Sequence, residues 1–126
     1  MRIFKSKAFA KFARKERISD AKLCRVVREA SEGNIDADYG GGVIKQRIAR
    51  EGQGKSGGYR LIIYYRQGDK AFFVYGFSKS ERENIDRDEE KEFRRQAKII
   101  LAMNDKQVSA LLKNGTYQEI RCHEKS

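Results

Sequence analysis

Cations crowd one stretch of this chain. Lys45, Arg47, Arg50, Lys55, Arg60 and Arg66 fall within residues 45–66 against one acid, Glu51, and Lys79 and Arg82 follow. On extended backbone, side chains two residues apart share a face, so such a run can build a surface that holds phosphate. Binding is the simplest use of that surface, and cleavage is a sharper one. RNA carries its own nucleophile, the 2′-OH, and can be cut without a metal by aligning that oxygen with the adjacent phosphate and stabilising the developing charge. Guanidinium groups suit the electrostatic task. Proton transfer then needs an acid and a base, for which Lys55, Lys79 and Tyr64 are available. Tyr59, Tyr64 and Tyr65 serve equally well as core or as surfaces on which bases stack.

Other chemistries lack their residues. The chain has no Ser/His/Asp or Cys/His arrangement, no HExxH motif and no strand-borne carboxylate cluster for Mg²⁺. Cys24 and Cys122 are far apart in sequence, and the single histidine, His123, adjoins the second, so no metal-ligand spacing exists and no cofactor is implied. Cys24 reads as a small core residue of a helix, and Cys122 and His123 as part of a polar tail in a reducing cytoplasm. The segment 52–58 holds four glycines followed by Tyr59. It imitates a phosphate-binding loop only superficially, because a strand rather than a helix follows Lys55-Ser56.

The elements that must position these groups are legible. Tyr59, Leu61, Ile63 and Tyr65 alternate with Arg60, Ile62, Tyr64 and Arg66, a second strand spans Ala71–Phe77, and Gln67-Gly68-Asp69 joins them as an antiparallel hairpin at the centre of the sheet. From Val43 another strand alternates, with Ile44, Gln46 and Ile48 facing one way and Val43, Lys45 and Arg47 the other. Residues 2–5 suit a short edge strand. Ser6 can cap a helix over about 7–16 with Ala8, Phe9, Phe12 and Ala13 inward, and Ser19 or Asp20 a second, whose seam is Leu23, Val26, Val27 and Ala30 and whose end is Gly33-Asn34. Ile35–Gly42, with its three glycines, reads as a loop.

Downstream, Ser80 with Glu83 matches a capping box, with Asn84, Asp86 and Asp88 as alternative caps, ahead of a helix with the apolar stripe Phe93, Ala97, Ile100 and Leu101. Asp105 can cap a shorter helix with Val108, Leu111 and Leu112 inward. Tyr117–Cys122 alternates weakly and allows a last strand.

The chain has 126 residues and a net charge of +10, the size of a single domain over 1–126 with a modest core. Residues 81–92 carry seven acids against three bases, so the rest is more strongly basic still. Such a field attracts nucleic acid in a salt-dependent way, with an acidic protein as the competing partner. No stretch approaches membrane-spanning length and the N-terminus has no apolar signal region, so a soluble, cytoplasmic protein without a membrane partner is expected.

The stretch GKSGGYRLIIYYRQGDKAFFVYGFSKSERENI resembles the central signature of RelE-type toxins of bacterial toxin–antitoxin modules, in the RelE/ParE superfamily, and most closely its HigB-like branch. The likeness is specific over about residues 43–112. It implies an α+β, microbial ribonuclease-like RelE fold: an N-terminal helical hairpin on a small, mainly antiparallel sheet whose other side is concave and cationic, with C-terminal helices. It also implies a metal-independent endoribonuclease that cuts mRNA in the ribosomal A site and is silenced by a cognate antitoxin, a DNA-binding protein encoded nearby.

On that resemblance Arg60 binds the scissile phosphate, Arg50 and Lys55 correspond to a base or phosphate ligand, and the family's KxER pattern falls on Lys79–Arg82. Lys45, Arg47, Arg50 and Arg66 are the further phosphate-binding candidates. The family places an arginine where Ser80 stands and a tyrosine near Ile85 or Asp86, which leaves Lys79, Arg82 or Tyr64 as proton donor. The alternatives are a ParE-like inhibitor of DNA gyrase without nuclease activity, or a non-catalytic RNA- or ribosome-binding module.

Overall fold

The computed structural model describes residues 1–50 and 54–122, with the side chains of 54–57 outside that description. Strand β1 (Arg2–Ser6) runs directly into helix α1 (Lys7–Lys15), because the Ser6 hydroxyl accepts the Phe9 N–H and caps the first turn. Ser19 does the same for α2 (Asp20–Ser31) through the Lys22 N–H. Strands β2 (Ala37–Gly40), β3 (Val43–Arg50), β4 (Gly54–Arg66) and β5 (Lys70–Ser78) follow, then α3 (Arg87–Leu101), α4 (Asp105–Lys113) and β6 (Tyr117–Ile120).

Among the described residues these strands form one sheet in the order β2-β3-β4-β5-β1-β6, with β1 parallel to β5 and the other pairs antiparallel. The α+β class and the central β4–β5 hairpin agree with the sequence reading. Three local expectations do not. β1 is not an edge strand, since β6 returns beside it and takes the edge. The glycine loop contains β2, and Gly40, Gly41 and Gly42 all adopt positive φ to turn that strand into β3. The cap of α4 is Asn104 rather than Asp105, in a capping box with Gln107, whereas α3 starts at Asp86, one of the caps the sequence offered, in a capping box with Glu89.

Both faces of the sheet are covered. On one, α1 and α2 bury Phe9, Leu23, Val26 and Val27 against Ile44, Leu61, Ile63 and Phe73. Here Gly76 gives way to α1: a Cβ at this position would lie 2.3 Å from the Phe12 ring. On the other face α3 and α4 bury Ala97, Ile100, Leu101 and Val108 against Phe4, Val43, Ile62, Tyr64 and Phe72. The expectation of an open cationic concave face is therefore corrected to a cationic patch at one end of a mostly covered face. The reason lies in the strands themselves, since β4 and β5 are apolar on both faces and demand a layer on each side.

Cys24 and Cys122 form a disulfide with Cα atoms 5.9 Å apart, which corrects their reading as a lone core residue and a bystander in the tail. Pairing of β6 with β1 returns the chain end to the flank of α2. His123 lies outside the described residues. Among the described residues, no helix is long and apolar enough to cross a membrane.

Candidate active site

Strand register builds the patch. Arg47 on β3 lies directly opposite Arg60 on β4, which lies opposite Phe77 on β5; one pair further along, Lys45, Ile62 and Tyr75 form a parallel row on the same face. Two like charges in direct cross-strand register cost stability, and a fold tolerates the cost most readily where an anion is to be received. Asp36 offsets part of it, accepting from Arg47 Nε at 2.8 Å and lying 3.8 Å from Lys45 Nζ. Arg60 is buried at 5% exposure, whereas the Arg47 side chain is 44% exposed.

The loop between β5 and α3 then folds over the patch. Arg82 donates to Glu89 through both terminal nitrogens (3.0 and 2.5 Å), to the Tyr75 hydroxyl (3.2 Å) and to the Asn84 carbonyl (3.0 Å). Its guanidinium sits 5.5 Å from the centre of the Phe77 ring. Asn84 ties the loop back to the sheet, its side-chain oxygen accepting from the Tyr39 hydroxyl at 2.9 Å and from Lys45 at 3.5 Å. Ile85 plugs the second core beneath. Arg82 is thus a bidentate clamp between the sheet and the first turn of α3.

The clamp has a pH signature. Arg82 holds the Glu89 carboxyl below the ordinary carboxylate range, and Glu89 in turn raises the guanidinium. A carboxyl depressed in the folded state stabilises the fold above its unfolded pKa and loses that contribution as pH falls through the folded value. Thermal melts of the wild-type chain are expected to fall toward those of Glu89→Gln as the buffer is taken below about pH 4, where free carboxylates protonate. Melting points separated by a constant gap at every pH would show that the ion pair contributes nothing.

The structure brings together Lys45, Arg47, Arg60 and Arg82 and separates the remaining candidates. Arg50 turns to the opposite face, 5.8 Å from the ring centre of Tyr59, whose hydroxyl donates to Glu16. Arg66 lies at the far end of β4 beside Asp69. Tyr64 is 4% exposed, packs edge-on to Phe93 and is pushed well above the ordinary phenol range by burial, which suits a core residue rather than a proton donor. Lys79 is exposed just after β5, and its N–H donates to the Gly58 carbonyl, which sets it beside the glycine segment. The Lys55 side chain lies outside the described residues.

Sequence reasoning missed Tyr75, Asn84, Tyr39 and Glu89. Strict alternation from Ala71 puts Tyr75 under α1, but the register shifts between Ile62 and Ile63, where Val74 is an extra residue on β5. This bulge turns Tyr75 and Phe77 to the cationic face.

No curated protein matches the chain. The family described as the RelE toxin of the RelE/RelB toxin–antitoxin system matches residues 1–120, nearly the whole length and every element of the sheet, and the chain belongs to that family of toxins.

Proposed function

We propose that this toxin is a metal-independent endoribonuclease that cleaves mRNA in the ribosomal A site and so arrests translation. The observation that carries the reading is the Arg47–Arg60 register pair, flanked by Lys45 and overhung by Arg82. Convergent cations on rigid strands can grip a phosphate and stabilise the charge that builds on it during attack by the 2′-OH. A protein-directed inhibitor of the gyrase type has no need of that convergence. The residues assigned to the reaction are Arg60 for the scissile phosphate, Arg47 and Lys45 for flanking phosphates, and Lys79, held beside Gly58, as a further cation for the substrate, with Lys55 carried from the sequence reading alone. The partner that silences the toxin is a cognate antitoxin encoded nearby. Assignment to the HigB-like branch belongs to the same proposal, as does the cytoplasm, which now rests on the ribosomal substrate and no longer on free cysteines, since Cys24 and Cys122 are paired.

The inventory of acids and bases is thin, so catalysis depends on a substrate held in place, which the ribosome can provide. Purified protein is expected to leave naked RNA almost intact and to cut a message within the A-site codon on programmed ribosomes, as read by primer extension. Equal cleavage of free and ribosome-bound RNA would remove the ribosome from the mechanism. Uncut messages together with inhibited gyrase supercoiling would replace it with the ParE-like reading.

A further inference from the structure

We propose that Tyr75 is the general acid of this site, giving its phenolic proton to the leaving 5′-oxygen, with Arg82 holding the phenol and Glu89 holding Arg82. The inference rests on the nuclease reading above and names a group that reading lacks.

Three observations converge on it. First, the β5 bulge at Val74 is what brings Tyr75 onto the cationic face, and bulges recur where a side chain must be re-aimed beside a site. Tyr75 faces Ile62, so it is the diagonal neighbour of Arg60, a separation of about 7–8 Å between backbones that two long side chains bridge to a shared phosphate.

Second, the hydroxyl has a directed partner. Arg82 Nη1 donates to it at 3.2 Å. A guanidinium has no acceptor, so this contact occupies an oxygen lone pair and leaves the O–H proton for another acceptor. It also places positive charge beside the oxygen on which negative charge develops as that proton departs. Glu89, bidentate to Arg82, fixes the guanidinium and acts as a positioning residue.

Third, the ring is packed for position while the residue stays partly exposed. It lies 5.7 Å from Phe77 and 6.0 Å from Phe93, between centres, and it is not fully buried. Tyr64, by contrast, is enclosed in the core.

In the proposed step the 2′-oxygen bonds to phosphorus and the bond from phosphorus to the 5′-oxygen breaks. The Tyr75 proton passes to that oxygen to give a 5′-hydroxyl. The 2′-OH proton leaves to solvent, the phenolate beside Arg82 regains one from solvent, and the products are a 2′,3′-cyclic phosphate and a free 5′-OH end.

The test uses the full chain on programmed ribosomes with two messages, one ordinary and one in which sulfur replaces the bridging 5′-oxygen at the cut. A thiolate leaves without protonation, so a variant lacking only the acid is rescued on the sulfur message. Tyr75→Phe, which keeps the ring contacts, is expected to cut the ordinary message about a hundredfold more slowly and the sulfur message at the wild-type rate. Glu89→Gln is expected to show a smaller loss with the same rescue, and it serves as the second variant if Tyr75→Phe does not fold. Wild-type rates on the ordinary message, or equal losses on both messages, would overturn the assignment of Tyr75. Failure of the wild-type chain to cut either message would overturn the nuclease reading and this inference with it.

Discussion

Arg60→Ala is expected to abolish translation arrest and to slow A-site cleavage by a hundredfold to a thousandfold. Removing one preorganised donor from a site that works by stabilising transition-state charge costs about 3–4 kcal/mol. The fold should survive. Arg60 is buried at 5% exposure, so its stem contributes packing, but its loss also removes the like-charge register pair with Arg47, and the two effects oppose each other. Arg60→Lys separates binding from rate: a compact ammonium keeps the charge without the planar fork, and it should restore association with ribosomes more fully than cleavage. The measurement is primer extension on a translated message, with circular dichroism confirming the fold. If folded Arg60→Ala arrests translation like the wild type, Arg60 is structural and the gyrase-directed alternative moves ahead of the nuclease.

The second large effect is on stability. Cys24 and Cys122 are 98 residues apart in sequence, and a cross-link closing about a hundred residues stabilises a fold by about 4.7 kcal/mol in the chain-entropy account. For a chain this size that is a large share of an ordinary folding free energy, about 5–15 kcal/mol. Denaturant midpoints are expected to drop substantially when a thiol reductant is added, and Cys24→Ser should match the reduced wild type and no longer respond to reductant. Identical midpoints with and without reductant would mean that the two sulfurs remain thiols in solution. The bond ties the segment just past β6, the edge strand opposite β2, to α2 on the face of the sheet turned away from the cationic patch, so cleavage on ribosomes should change far less than stability.

The sequence by itself determined what depends on near neighbours. Alternation assigned Arg60, Ile62 and Tyr64 to one face of β4 and Leu61, Ile63 and Tyr65 to the other, and it put Lys45 and Arg47 together on β3. The cap Ser6, the cap Ser19 (offered beside Asp20) and the seam of α2 were equally readable because a helix turn closes within a few residues, while on α1 Phe9 and Ala13 point inward as expected but Ala10 is buried in place of the exposed Ala8. The central signature around Gly57-Gly58-Tyr59-Arg60 pointed to the family that residues 1–120 proved to match.

Tertiary structure alone decided the rest. Which β3 cation meets Arg60 is a matter of register between strands, and it is Arg47 rather than Lys45 that lies opposite it. Tyr75 reached the site through a single extra residue in β5, and one such insertion reverses every later side chain, a change that period-two reading has no means to anticipate. Arg82 found Glu89 rather than open solvent because α3 caps at Asp86, which aims its first turn at the loop. The second core, the two-sided cover and the Cys24–Cys122 bond all join segments distant along the chain. Periodicity records which way a side chain points from its own backbone, and only packing decides what it meets there.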